Sequence, residues 1–441
     1  MTSSHSASPL DQRELQDKAH RLIPGGAHTY AKGDDQFPEQ APAFIVRGAG
    51  SHVWDMAGKE YIEFGMGLRA VTLGHAFGPV IEAVAKQLPL GTNFTRPSPI
   101  EVECAEALLE LLPDADMVKF CKDGSMAVDG AIKLARAHTG REMVAICGDH
   151  PFFSTNDWFI GTTGMPAGTP EPARRSTVKF RYNDIASLEA LFTIHAGSIA
   201  CVVMEAARTE EPHPGFLAAV KECAHRHGAL FIIDEMITGF RWHIGGAQAT
   251  YGVTADLCTF GKGLANGFAV SALAGRREFM ALGGADHARE RVFLLSTTHG
   301  AETHSLAAAI ATMQFYKQNP VIETLYARGE RLRLGFEQAV AANGLAGYVE
   351  LASRDCSLLF GTRDANQRPS QPFRTLFLQE MIQRGIIAPS FVVSYCHSEV
   401  DIDRTIDAAG EALAAYKCAL DHGVERYLKG RSVKPVFRPF T

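Results

Sequence analysis

Between about residues 100 and 300 the chain alternates short, almost wholly apolar runs with stretches whose apolar positions recur at helical spacing. That alternation is the pattern of βαβ units around a mostly parallel sheet covered on both faces. The expected strands are 118–121, 144–147, 199–204, 230–233, 257–260 and 270–274. Helices are expected between them, at 128–138, with Ile132, Leu134 and Ala135 on or near one face, and at 216–227. Within this stretch, 161–175 (GTTGMPAGTPEPARR) is rich in Gly, Pro and Thr and reads as a mobile surface loop.

The flanks follow other patterns. Residues 1 to about 20 are polar, frayed or helical, and IPGGAHTYAKGDD after them is broken by glycines and a proline. The segment SHVWDMAGKEYIEF alternates like a β-hairpin around a turn at Ala57 and Gly58. Beyond 305, LAAAIATMQFYKQ, residues 323–342 and residues 401–422 read as helices, with short strands among them. The expected architecture is α/β, with a large domain over 66–315 and a smaller α+β domain built from 1–65 and 316–441.

Composition narrows the functions available. Lys plus Arg number 43 against 49 Asp plus Glu, a net charge of −6, so no basic face for nucleic acid is implied. No apolar run reaches the roughly 20 residues of a membrane helix. The nine cysteines are scattered without a CxxC pair, as reduced thiols in a cytoplasm are. His150, His299 and His304 form no HxH or HExxH pattern, so no metal is expected.

Three stretches carry chemistry. FIIDEMITGFR is an apolar strand ending in Asp234 and Glu235, and a carboxylate at a strand's C-terminal end can hold a proton on a buried heterocyclic nitrogen, or simply form a salt bridge. TFGKGLANG sets Lys262 between glycines after another strand. A lysine buried there can lose its proton and attack an aldehyde; it can equally be a structural or phosphate-binding lysine. FCKDGSMA is strand, turn and helix start, where free amides and the Ser125 hydroxyl suit a phosphate, unless Ser125 is merely an N-cap. A phosphate cradle, a ring-nitrogen partner and an aldehyde-reactive amine are the three handles of pyridoxal 5'-phosphate (PLP).

These stretches also carry a resemblance. DEMITGFR, GGAQATYGVTADLCTFGKGLANG and GRREFM, with PGG at 24–26, LGHA at 73–76, IKLARAHTGR at 132–141 and PGFLAAVKECAHRHGALFIIDE at 214–235, are similar to class III PLP-dependent aminotransferases, in particular the glutamate-1-semialdehyde 2,1-aminomutase-like subgroup. The resemblance implies the fold type I of PLP-dependent transferases, with Lys262 as Schiff-base lysine, Asp234 on the pyridine nitrogen, and Met236 on one ring face. It further implies Gly124 and Ser125 on the phosphate, Phe152 on the other ring face, and Thr298 reaching the phosphate of the neighbouring subunit in a homodimer with shared active sites. The activity implied is transfer of an amino group between an amino donor and a carbonyl acceptor through a pyridoxamine phosphate intermediate. The alternatives are the intramolecular aminomutase reaction that gives 5-aminolevulinate and, more remotely, a non-catalytic binding protein on the same fold.

Departures from the subgroup bear on substrate. Phe152-Phe153-Ser154 replaces Tyr-His-Gly, Lys122-Asp123-Gly124-Ser125-Met126 replaces Asn-Ser-Gly-Thr-Glu, and Glu302-Thr303 falls near the usual Asn-Pro. Leu68-Arg69-Ala70 stands near a Trp-Gly-Pro stretch. Lys32 occupies the place of a carboxylate-binding arginine, and Arg69 adds a cation; either can bind a substrate carboxylate or phosphate, or serve as a solvated lysine and a structural ion pair. These changes favour transfer between two substrates over the aminomutase reaction.

Overall fold

The computed structural model describes residues 9–150 and 152–438. Contacts divide them into two units, one from residues 9–68, 72–77 and 323–438 and one from residues 69–71 and 78–322.

The second unit is built on seven strands: β1 (Met117–Cys121), β2 (Met143–Cys147), β3 (Thr177–Phe180), β4 (Ile199–Met204), β5 (Leu230–Asp234), β6 (Leu257–Phe260) and β7 (Ser271–Gly275). Their spatial order is β1-β7-β6-β5-β4-β2-β3. Only β7 runs against its neighbours, so the other six strands end on one edge of the sheet. β4 and β5 are buried along their whole length, which is why they read as unbroken apolar runs. The 16-residue helix Gly124–Thr139 packs Val128, Ala131, Ile132 and Ala135 into the core with Val144, Val203 and Ile232.

Two features of this unit depart from the sequence expectation. β3 carries Lys179 on an edge and is too short to announce itself by pattern. The 161–175 segment ends in a helix, Glu171–Arg175, and is tied to itself: Arg174 Nε donates to the Thr169 carbonyl at 3.1 Å and Nη2 to the Pro166 carbonyl at 2.8 Å.

The first unit holds the expected hairpin, His52–Asp55 with Glu60–Glu63, its turn closed by Asp55 Oδ1 accepting from the Ala57 and Lys59 amides at 2.9 Å each. These strands join Ile45–Ala49 and Ile386–Ile387 in a four-stranded sheet. A second sheet of Val349–Ala352, Ser357–Thr362 and Phe391–Val392 packs with the helices Gln371–Gln383 and Glu399–His422 around Phe336, Phe377, Phe391 and Tyr416. The N- and C-terminal segments are clasped by Arg431 Nη2 donating to the Asp34 carbonyl at 2.7 Å and by an Arg438–Asp35 ion pair. Among the described residues no helix is long and apolar enough to cross a membrane.

Candidate active site

The common strand edge of the second unit collects most of the residues singled out by sequence. Met204 pairs with Ile233 and Asp234 with Thr259, so one further step of register sets Glu205, Asp234 and Thr259 side by side across β4, β5 and β6. Asp234 is 3% exposed, and its Oδ1 accepts from the Met236 amide at 2.9 Å and the Thr259 hydroxyl at 3.1 Å. Burial raises its pKa, opposed by the Lys262 charge and by those two donors. Glu235 points to the support instead: it accepts from the Ala247 amide at 2.7 Å, the Gln248 amide at 2.9 Å and the Thr238 hydroxyl.

Lys262 follows β6 in the short turn Lys262–Ala265 and has φ +43. A left-handed conformation costs an L-residue about 1–2 kcal/mol, a strain found where a side chain must be aimed. Burial lowers the Lys262 pKa, with Asp234 and Glu205 opposing and Arg69 and Arg208 assisting. The amine therefore sheds its proton more readily than a solvated lysine, beside a carboxylate able to hold a proton.

Two glycines keep the approach open around Met236. A Cβ on Gly261 would lie 2.6 Å from the Met236 sulfur and 2.5 Å from Ser271 Oγ. One on Gly124 would lie 2.8 Å from the same sulfur, so the start of the helix Gly124–Thr139 reaches the thioether that follows Asp234. Asp123, not Ser125, caps this helix, its side chain accepting from the Met126 amide at 3.0 Å. Ser125 Oγ accepts from the Thr155 amide at 3.1 Å, which leaves its hydroxyl hydrogen available to a ligand.

The remaining sequence candidates sit as follows. Phe152 is 42% exposed, its ring 5.6 Å from Phe159 edge-on, while Phe153 is buried and Ser154 Oγ donates to Asp129 at 2.9 Å. Thr298 is exposed, with its carbonyl accepting from Asn93 Nδ2 at 2.9 Å. Two departures noted in the sequence prove to be one feature, since Lys122 forms an ion pair with Glu302, which His299 also approaches at 3.1 Å. Lys32 is exposed in the first unit, ending the turn Tyr30–Lys32. Arg69 has φ +71, after Met66, Gly67 and Leu68 at +42, +58 and +59, and its carbonyl accepts from Arg241 Nη2 at 3.3 Å. Burial and the Arg208 and Arg241 guanidiniums push Arg69 down to about 10.

Glu205, Thr259 and Arg208 were not singled out by sequence. The signal for Glu205 was present, because IACVVME is, like LFIID, an apolar strand closed by a carboxylate. Among the described residues no group of three or more His, Cys, Asp or Glu could hold a metal ion.

Residues 31–349 match the aminotransferase class-III family. The chain belongs to the class III aminotransferases. It is 33% identical over 426 residues to a glutamate-1-semialdehyde 2,1-aminomutase of Desulforamulus reducens, covering 91% of this chain and 97% of that protein. It is 30% identical to a 3-aminobutyryl-CoA aminotransferase of Cloacimonas acidaminovorans, covering 91% and 96%. Among solved structures it superposes with TM-score 0.85 on the FumI protein of Sphingopyxis sp. MTA144 in its PLP internal aldimine form, at 28% identity and covering 93% and 97% of the two chains. Membership of a class III aminotransferase family accords with a mostly parallel sheet whose strand ends carry Asp234 and Lys262.

Proposed function

We propose that this class III aminotransferase moves an amino group between an amino donor and a carbonyl acceptor with PLP held at the strand edge around Lys262. The carrying observation is a left-handed, desolvated lysine beside a buried carboxylate, with glycines at 124 and 261 leaving room about Met236. These residues fit the cofactor: an amine for its aldehyde, an anionic acceptor for its ring nitrogen, a thioether for one ring face, and a helix start with a free hydroxyl hydrogen for its phosphate. When bound, PLP supplies the aldehyde that carries the amino group and a protonated ring that accepts electrons from the substrate carbon.

The chain's residues do the rest. Lys262 would hold the aldehyde through its amine, and the same amine, when free, would be the group placed to move a proton at the substrate carbon. Asp234, fixed by Thr259 and the Met236 amide, keeps the ring nitrogen protonated. Gly124 and Ser125 hold the phosphate, Met236 and Phe152 cover the ring faces, and Arg69 or Lys32 takes an anionic group of the substrate. Thr298 completes a partner's phosphate site in a homodimer. A cytoplasmic location belongs to the same reading, supported by nine cysteines that are all unpaired.

The test is to add PLP, record the visible band, reduce with borohydride and map the label. Label on Lys262 is expected; a protein that stays colourless in excess PLP refutes the reading. Incubation with glutamate-1-semialdehyde and no other donor separates the aminomutase reaction named for one relative, since rapid 5-aminolevulinate formation would overturn transfer between two substrates.

A further inference from the structure

A carboxylate outside the strand edge gathers the segment that follows β2. Asp129 lies four residues beyond Ser125 on the helix Gly124–Thr139, so the two side chains share a face one turn apart. Asp129 Oδ1 accepts from the Ser154 hydroxyl at 2.9 Å and from the Trp158 indole nitrogen at 2.6 Å, and Oδ2 accepts from the Asn156 side-chain amide. All three donors are neutral, and together they oppose the burial that raises the pKa of this half-buried acid.

The donors give up other work to reach it. Asn156 stands at the N-cap of the helix Asp157–Ile160, yet its side chain makes no capping bond there, although capping is what an asparagine at that position ordinarily does. Ser154 is fully buried and stands where the aminomutase-like subgroup has glycine, so its hydroxyl is an addition in this chain. That hydroxyl donates to Asp129 and accepts from the Asn156 amide at 3.0 Å. The Trp158 carbonyl accepts from the Thr177 hydroxyl of β3 at 2.8 Å, which ties the far end of the segment to the sheet.

Between two residues held in this way lies Thr155, whose amide donates to Ser125 Oγ at 3.1 Å. The bond fills one acceptor position of the Ser125 hydroxyl and so governs where its hydrogen can point.

We propose that Asp129 is a positioning residue for the cofactor phosphate: by holding Ser154 and Asn156 it keeps the Thr155 amide on Ser125 Oγ, and thereby keeps the Ser125 hydrogen turned to the phosphate. Asp129 acts through Ser125, so the assignment rests on PLP being held at Lys262 with its phosphate at Gly124 and Ser125. A carboxylate suits the task because its two oxygens accept from three donors at once. An asparagine there has a single acceptor oxygen and sets its own amide hydrogens against one of the donors.

The experiment titrates cofactor-free protein with PLP and reads affinity from the visible band in the parent, D129A, S125A and the double variant. D129A and S125A are each expected to weaken PLP about tenfold, the equivalent of one hydrogen bond to a charged group. The double variant is expected to bind no more than about thirtyfold more weakly than the parent, short of the roughly hundredfold that two independent losses multiply to. D129N, which retains one acceptor, is expected to recover part of the D129A loss. Far-ultraviolet dichroism and thermal melting show which variants have folded. Should D129A fail to fold, S154A replaces it in the same cycle, with a single loss of about threefold and a double variant no weaker than S125A alone. A parent that stays colourless in excess PLP overturns the function proposed above, before any variant is compared. With PLP taken up by the parent, unchanged affinity in D129A or in S125A overturns the positioning role. Losses that multiply in full in the double variant also overturn it, because Asp129 then supports the fold without acting through Ser125.

Discussion

Two adjacent strand ends of the large sheet solve the same problem in opposite ways. β4 and β5 are both fully buried apolar strands, and each is closed by a carboxylate, Glu205 and Asp234. Asp234 is held by two donors, whereas Glu205 has an oxygen with none. A carboxylate fixed by donors can serve one constant purpose, such as holding a ring proton. One left unsatisfied in a low-dielectric site changes state when the surrounding charge changes. The two strand ends thus differ in how firmly their carboxylates are held.

The largest break in that comparison comes on the Asp234 side. K262A is expected to slow amino transfer by on the order of 10⁴-fold, the upper range for a positioned proton-transfer group, and to abolish borohydride fixation while PLP is still taken up. D234N keeps the side chain's shape but removes its charge, and is expected to cost roughly 10²–10³-fold in the single-turnover rate with an amino donor. If D234N were as active as the parent, Asp234 would be a structural carboxylate and the contrast with Glu205 would disappear.

How far the sequence could be read divides along the same line. The strands around β5 and β6 were legible because burial on both faces forces unbroken apolar runs, and Lys262 stood out because glycines flank it. β3 was not legible, since an edge strand of four residues with an exposed lysine has neither period nor length. Glu205 was missed although IACVVME carries the same signature as LFIID, because a lone terminal glutamate reads as an ordinary strand end until its neighbours are known. The ion pair of Lys122 with Glu302 shows a second limit. Each residue looked like an independent departure, and only the fold reveals that they compensate one another.

The carboxylates also differ in what they do to stability, and pH separates them. Burial raises Glu205 from 4.5 to about 7. The folded state therefore binds the proton more tightly than the unfolded chain, so the associated stability is present at low pH and is lost as pH rises from about 4.5 to 7, with no further change above. In cofactor-free protein E205Q is expected to flatten that part of the stability profile and to be more stable than the parent at pH 8 by roughly 1–3 kcal/mol. Glu235 is also pushed to about 7, but it accepts from two backbone amides and a hydroxyl. E235Q turns an amide donor toward one of those donors and is expected to destabilise by about 1–3 kcal/mol. Denaturant titrations at pH 5 and pH 8 measure both; equal effects of the two variants at pH 8 would mean that Glu205 is satisfied after all.

The smallest expected effect tests how Asp234 is kept constant. Thr259→Val conserves the side chain's shape and removes only the hydroxyl that donates to Asp234 at 3.1 Å, leaving the Met236 amide at 2.9 Å in place. A hydrogen bond to a charged acceptor contributes about 1.5–3 kcal/mol, of which part is recovered when a second donor remains. With one donor gone and burial unrelieved, Asp234 is expected to hold its negative charge less firmly, so its apparent pKa rises. The ring nitrogen then has a weaker anion opposite it, and single-turnover amino transfer is expected to slow by roughly fivefold, for a loss of about 1 kcal/mol. The deficit should grow as pH falls, because Asp234 is neutralised at a higher pH in the variant than in the parent. A pH-independent deficit would place the threonine's contribution in packing rather than in charge, and would make the constancy of Asp234 a property of the Met236 amide and burial alone.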